Sequence, residues 1–319
     1  MSPIVIASQL DEPFNQALRT ALQPRHPGAQ VIGVPPGVPS DLPAQVNVLL
    51  ARPINVRGFQ APETPPPGWP YGLKWVQLAS SGIDFYPRWL FDGPPVTTAR
   101  GSASGPIAEF ALAAIFAAAK HLPDIWVHDD TWNFTALTPV QGTTLGILGF
   151  GSIGQSLASK AQALGLNVVA LRQSNAPLEV DGVEAARDIH DLFARADHLV
   201  IAAPLTPATR HLVNRDVLAS AKPGLHLINI ARGGLLDQQA LLQALDNGQV
   251  GLASLDVSEP EPLPAGHPLY SHPRVRLSPH TSAISTRSSE AITAIFLDNL
   301  ERYLCEQPLH NLADTTRGY

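Results

Sequence analysis

The six residues GFGSIG, Gly149–Gly154, have the types and spacing of a loop that could cradle a phosphate. The run Thr144–Leu148 reads as a strand entering the loop. Ile153–Leu164 reads as a helix leaving it, and Val168–Leu171 as the next strand. In that setting Gly149 permits the tight turn, Gly151 lets the backbone approach a pyrophosphate, and Gly154 lets the helix pack close to the sheet. The helix would turn its N–H groups and the positive end of its dipole toward the phosphates. A glycine-rich turn without a ligand uses the same letters. The strand before, the helix after and a second strand ending about twenty residues on are what point to a dinucleotide.

The end of that second strand is where an acidic side chain would bind the ribose 2′-hydroxyl of NAD. The sequence there is VVALRQSN, and no Asp or Glu occurs until Glu179. Arg172 takes the place, with Ser174 two residues on. A guanidinium pairs with a 2′-phosphate and stacks on adenine, and a serine hydroxyl adds a hydrogen bond. The residues therefore predict NADP(H) as the preferred cofactor, with NAD(H) as the alternative.

Three charged residues fall at the ends of apolar runs or in the loops beyond them. They are Arg232 in NIARGGLLD, Glu261 in LDVSEPEPL and His280 in LSPHTSA. Ligands of open α/β sheets bind at this carboxyl edge. Each has a plainer reading. The sequence RGG is turn-like, Glu261 lies among Pro260, Pro262 and Pro264 with Glu259 as a competitor, and His280 is one of eleven histidines.

The elements that must position these residues alternate along the chain. Ile4–Ala7, Val46–Ala51 and Trp75–Leu78 read as strands and Glu12–Leu22 as a helix, which suggests a small α/β domain with a parallel sheet. Pro62–Pro70 reads as a surface loop. Ile107–Ala119 reads as a buried helix. After the glycine loop, Asp188–Arg195 and Gln238–Asn247 read as helices. His198–Ala202, Leu225–Ile230, Gly251–Val257 and Val275–Leu277 read as strands, in the short-step pattern of a doubly wound fold. Ala283–Leu304 reads as one long helix.

Composition narrows the class. Of 319 residues 45% are hydrophobic and 15% charged, which fits a globular chain with a substantial core. The net charge of −6 argues against nucleic acid or an anionic membrane as the main partner. No stretch is long and apolar enough for a membrane span, and MSPIVIAS has no basic, apolar leader pattern, so a cytoplasmic protein is expected. The one cysteine, Cys305, cannot form an internal disulfide and reads as a packing residue in a helix. No metal site is expected.

Taken together, the order and spacing of these motifs resemble the D-isomer-specific 2-hydroxyacid dehydrogenase family. The resemblance runs over nearly the whole chain and is strongest from Gly142 to His280. It includes LKWVQLASSGID, PIAEFALAAI around Glu109, and the closing run from Asn299. It implies an α/β fold of two Rossmann-like or flavodoxin-like domains with parallel sheets and an active site in the cleft between them. Residues 1–99 and 285–319 would form the substrate-binding domain, and 100–284 the dinucleotide-binding domain. It also implies a catalytic trio of Arg232, Glu261 and His280, and it selects Glu261 over Glu259 as the acid before the proline that precedes Leu263.

The residue types suit hydride exchange with a 2-oxo or 2-hydroxy acid. Arg232 would hold the carboxylate and carbonyl oxygen. His280 would exchange the alcohol proton, and Glu261 would orient the imidazole and favour its charged form. By the same resemblance, Ser81 and Gly82 would present backbone N–H groups to the substrate carboxylate, and Arg52 could touch an anionic substrate. Ser152 and Ile153 would lie at the pyrophosphate, Pro204 and Thr209 would border the cofactor, and Asp256 would bind the nicotinamide carboxamide.

Arg172 is closest to the NADPH-type glyoxylate/hydroxypyruvate reductase branch. The alternatives are an NAD-dependent D-lactate or phosphoglycerate dehydrogenase, and a nucleotide-sensing corepressor-like protein without turnover. No added regulatory tail is expected. A homodimer is expected, because Ile107–Ala119 is apolar nearly all round and Trp126 and Trp132 follow it.

Overall fold

The computed structural model describes residues 4–56, 59–174 and 177–318. The chain divides into two compact units, Met1–Ser102 with Thr286–Tyr319, and Ala103–Ser285. The first unit contains strands β1 (Val5–Ser8), β2 (Gln30–Gly33), β3 (Val48–Ala51), β4 (Trp75–Leu78) and β5 (Val96–Thr97), with helix α1 (Glu12–Leu22). All strands pair in parallel, in the order β2-β1-β3-β4-β5. Apolar side chains cover both faces of this sheet. Leu49, Val76, Leu78 and Leu90 lie on one side, and Ile6, Leu18, Trp75 and Phe296 on the other. A parallel sheet needs that double cover, and β1, β3 and β4 are accordingly buried at every position.

The second unit begins with helix α2 (Ser104–Ala119) and continues through β6 (Thr144–Leu148), α3 (Ser152–Ala163), β7 (Asn167–Leu171) and β8 (Val183–Ala185). It then runs through α4 (Ile189–Arg195), β9 (His198–Ile201), α5 (Arg215–Ala219), β10 (Leu225–Asn229) and α6 (Gln238–Asp246). It closes with β11 (Val250–Leu255), α7 (Pro268–Ser271) and β12 (Val275–Leu277). Seven parallel strands lie in the order β12-β11-β10-β9-β6-β7-β8. The chain therefore winds outward in both directions from β6. A strand order that reverses in this way opens a crevice at the carboxyl end of the central strand. GFGSIG sits at that end of β6.

Three expectations are corrected. The last helix, α8, spans Ser288–Leu304 and does not start at Ala283. The Ser282 N–H is held at 2.9 Å by the Asp256 carboxylate, and the Ile284 N–H turns back to the Thr281 carbonyl at 2.8 Å. The approach is thus tied to the end of β11 and cannot run in helical register. The apolar helix α2 is only half buried. Ile107, Ala108, Ala111, Leu112, Ile115 and Ala119 face the core, whereas Glu109 and Ala113 are exposed and Phe110 and Phe116 are partly so. Cys305 caps the C-terminus of α8 and is exposed, so it is not a packing residue. Among the described residues no helix is long and apolar enough to cross a membrane.

Candidate active site

The glycine loop follows from close packing. Gly149 has φ +100°, and a Cβ there would lie 2.6 Å from the Ala203 backbone nitrogen. A Cβ on Gly154 would lie 2.7 Å from the Gly149 carbonyl oxygen. Neither position admits a side chain. Gly151 differs, because its missing Cβ would meet nothing within 4 Å. It is also the N-cap of α3, and no side chain caps that helix. The start of α3, with Ser152 and Ile153, thus presents backbone N–H groups beside open space, which fits a pyrophosphate.

Arg172 follows the last residue of β7, the strand beside β6, so it stands at the same carboxyl edge. The Gly149 N–H bonds the Leu171 carbonyl at 2.8 Å and ties the two strand ends together. The Arg172 guanidinium donates to the Pro177 carbonyl at 3.2 Å, and Ser174 is exposed. No carboxylate occupies Arg172's place. On the other flank, the Thr209 hydroxyl donates to the Pro204 carbonyl at 2.8 Å and accepts from the Thr206 N–H at 2.7 Å. These bonds fold Pro204–Thr209 into a compact turn beyond β9.

The three charged candidates come from adjacent strand ends. Buried Asn229 ends β10, and its side chain accepts from the Ala231 N–H at 3.1 Å and donates to the Arg232 carbonyl at 3.0 Å. This fixes the turn that presents Arg232. A Cβ on the next residue, Gly233, would lie 2.1 Å from the Ser258 carbonyl carbon. Only glycine lets the Arg232 loop lie against the loop that carries Glu261. The Glu261 carboxylate accepts from the Ser258 N–H at 3.0 Å and meets His280 Nδ1 at 2.8 Å. Burial pushes the Glu261 carboxyl up, but the His280 and Ser258 hydrogen bonds, together with the nearby His280 and Arg232 charges, hold it below the usual glutamate value. His280 itself has φ +51°, and its N–H donates to the Asp256 carbonyl at 2.8 Å.

Asp256 is buried at the end of β11. Its carboxylate accepts from the Ser278 hydroxyl at 2.5 Å, the Thr281 N–H at 3.0 Å and the Ser282 N–H at 2.9 Å. Burial raises its carboxyl, and these donors outweigh that and hold it low. Asp256 thereby clamps the segment carrying His280. Sequence reading missed this role, although a polar residue ending the apolar run GLASL marks the strand end. It also missed Asn229, which ends LHLI in the same way.

The remaining candidates belong to the first unit. Arg52 follows β3, is exposed, and donates its backbone N–H to Gln9 Oε1 at 3.2 Å. Ser81 follows β4, and its hydroxyl donates to the Ala99 carbonyl at 3.2 Å. The Ser80 hydroxyl donates to the Gly82 carbonyl at 2.8 Å. Arg52, Ser81 and Gly82 thus share the carboxyl edge of the five-stranded sheet. Among the described residues no group of three or more His, Cys, Asp or Glu could hold a metal ion.

Residues 112–282, most of the second unit, match the NAD-binding domain of D-isomer specific 2-hydroxyacid dehydrogenases. A glyoxylate/hydroxypyruvate reductase A of Serratia proteamaculans is 34% identical over 226 residues, 67% of this chain and 72% of that protein. A D-3-phosphoglycerate dehydrogenase of Methanocaldococcus jannaschii is 33% identical over 251 residues, 76% of this chain but 48% of the longer relative, so the chain spans about half the length of that protein. A D-isomer specific 2-hydroxyacid dehydrogenase of Xanthobacter autotrophicus Py2, solved with NADPH and MES, superposes over the full length of both chains with a TM-score of 0.81 at 28% identity. With a glycine-rich loop at the switch point of its larger sheet, this chain belongs to the D-isomer-specific 2-hydroxyacid dehydrogenase family of NAD(P)-dependent oxidoreductases.

Proposed function

We propose that the chain is an NADPH-preferring reductase of small 2-oxo acids of the glyoxylate and hydroxypyruvate type, working reversibly on the matching 2-hydroxy acids. The observation that carries the cofactor choice is Arg172, which stands where an NAD-type site would have an acid. The relative solved with NADPH supports the same cofactor, and the reductase of Serratia supports the substrate class. Ala103–Ser285 would hold the cofactor, and the unit of Met1–Ser102 and Thr286–Tyr319 would bind the acid through the Ser81 and Gly82 N–H groups, with Arg52 nearby.

When bound, the nicotinamide supplies or takes the hydride. Arg232 directs a planar fork of donors at the substrate carboxylate and carbonyl oxygen, where negative charge develops. His280 uses Nε2 to give a proton to that oxygen on reduction, or to take it on oxidation. Glu261, on Nδ1, fixes the ring orientation and compensates the charged imidazole. Asp256 is spent on the His280 segment, so any contact it makes with the carboxamide would be in addition to three existing hydrogen bonds.

A panel of 2-oxo acids against NADPH and NADH tests the reading. Wild type should favour NADPH in kcat/KM by about tenfold or more, the worth of one charge-assisted contact. Arg172→Asp should reverse the sign, because it repels the phosphate and offers a ribose acceptor. Equal use of both cofactors would make Arg172 a bystander, a preference for NADH would favour an NAD-dependent D-lactate or phosphoglycerate-type enzyme, and absence of turnover with any acid would favour a nucleotide sensor. A homodimer is part of the proposal. Exposed Trp126, Trp132 and Phe134 after α2 are apolar surface that a second copy would cover. A monomer in sedimentation at micromolar concentration would overturn that part.

A further inference from the structure

Next to the Arg232–Glu261–His280 cluster lies a second charged group to which the reaction assigns nothing. The Arg210 guanidinium grips the Glu259 carboxylate through contacts of 2.7, 2.8 and 2.9 Å. Glu259 is also held by its backbone. Its N–H donates to Gln238 Oε1 at 3.2 Å, and its carbonyl accepts from Gln238 Nε2 at 2.6 Å. The loop of Arg210 is in turn bonded to the residues after Arg232, with the His211 N–H on the Gly234 carbonyl at 2.8 Å and the Val213 N–H on the Leu235 carbonyl at 3.0 Å.

The ion pair lies directly over Gly234. A Cβ there would come within 3.1 Å of the Arg210 guanidinium and 3.2 Å of the Glu259 carboxylate. Three loops therefore meet at this pair. One is the Pro204–Leu212 turn, one is the Arg232 loop, and one is the Ser258–Glu261 segment whose amide and carboxylate set the His280 ring.

We propose that Arg210 is a positioning residue, which through Glu259 locks the Glu261 loop against the Arg232 loop and sets both groups relative to the turn at Pro204. The inference rests on the roles given above to Arg232, Glu261 and His280. Both side chains of the pair are partly exposed, so it adds little to global stability. Its effect is on placement, where a misplacement of about 1 Å can cost about a hundredfold in rate.

The variants are Arg210→Met, Glu259→Gln, the double variant and Arg210→Lys. Arg195→Met, which breaks an exposed ion pair with Glu184 at the far edge of the sheet, is the control. Arg210→Met and Glu259→Gln should each lower kcat about tenfold, a partial misplacement. The double variant should be no worse than either single one, and Arg210→Lys should recover part of the loss. NADPH affinity, melting temperature and the Arg195→Met control should all stay near wild type. Amide hydrogen exchange at Ser258, Glu259 and Gly234 should quicken in the two single variants and not in the control, whether or not any acid is turned over.

Unchanged exchange and kcat would overturn the proposal. So would a uniform fall in melting temperature, NADPH affinity and kcat, which marks a merely structural pair. His280→Ala measured in parallel separates the two readings. If it loses turnover while the Arg210 and Glu259 variants do not, only the lock fails. If it keeps turnover, the catalytic assignment fails, and the exchange data alone decide whether the lock exists.

Discussion

At the carboxyl edge of the seven-stranded sheet the candidates include charged side chains, with Glu261 bonded to His280 and Asp256 bonded to the His280 segment, whereas at that of the five-stranded sheet they are backbone groups and one guanidinium. Glu261, His280 and Asp256 hold each other through hydrogen bonds of 2.5 to 3.0 Å among their side chains and loops. Ser81 and Arg52 bond to Ala99 and Gln9 and so fix their loops. Developing charge needs preorganised charge, while recognition of a carboxylate can be left to N–H groups in a well-held turn. In the proposed reaction the first edge would carry the proton chemistry and the second would place the acid.

The largest expected effect tests that division. His280→Ala and Arg232→Ala should each lower turnover by about a thousandfold, within the range of general acid–base and oxyanion contributions. NADPH affinity by fluorescence titration should stay near wild type, because both residues lie outside the glycine loop. An equal loss of cofactor affinity would move them out of the proton-transfer and carboxylate roles.

The next effect contrasts two glycines of the same unit. Gly233→Ala drives a Cβ into the Ser258 backbone, which cannot swing aside as a side chain can. It should cost about 3 kcal/mol in urea unfolding. Gly151→Ala enters open space, so unfolding should be unchanged while NADPH binds more weakly. Normal NADPH affinity in Gly151→Ala would remove the pyrophosphate from this loop.

These two glycines also show what was readable in the residues. Gly149, Gly151 and Gly154 announce themselves by local spacing, and strands buried on both faces, such as β9, announce themselves as continuous apolar runs. The strands β2 and β8, each at the end of its sheet, have only four and three residues and are not buried throughout, so they carry no such signal. The helices α5 and α7 have five and four residues, too few to show a period. Gly233 and the Arg210–Glu259 pair depend on loops far apart in sequence, so only their meeting in space reveals them. Asp256 was singled out by resemblance for a cofactor contact, yet its hydrogen bonds go to the segment that carries His280.

Acid sharpens the comparison. In the larger unit His198 Nδ1 meets buried His226 Nδ1 at 3.2 Å, and His226 Nε2 meets the Ser254 hydroxyl at 2.9 Å. Burial first, and then the His198 charge, push His226 down to about 3 from 6.5. Below pH 6.5 the unfolded chain takes a proton that the folded chain refuses, so stability falls as pH drops from 6.5 toward 3. Near the Ser81 edge of the smaller unit, burial pushes the Tyr86 phenol up, further from a window in which a phenol is neutral in any case. Going from pH 7 to 5.5 should therefore cost the larger unit about 1 kcal/mol, and hydrogen exchange should quicken in β9 and β10 before β3 and β4. A His226→Gln variant should lose the His226 share of this dependence, while His198, which burial also pushes down, keeps its own. The same slope in wild type and variant would place the sensitivity elsewhere.

The smallest expected effect lies at the other edge. If the acid is taken by the Ser81 and Gly82 N–H groups, the Ser81 hydroxyl matters only through its 3.2 Å bond to Ala99. Ser81→Ala keeps both N–H groups and removes one hydrogen bond of ordinary worth, about 1 kcal/mol or less after the loop relaxes. KM for glyoxylate should rise by about threefold with kcat unchanged, since a contact made equally in ground and transition states moves KM alone. Ser81→Pro removes the N–H itself and should raise KM much further. The difference between the two variants measures the backbone contribution. If Ser81→Ala instead lost about a hundredfold, the hydroxyl would be the contact, and this edge would work through side chains as the other one does.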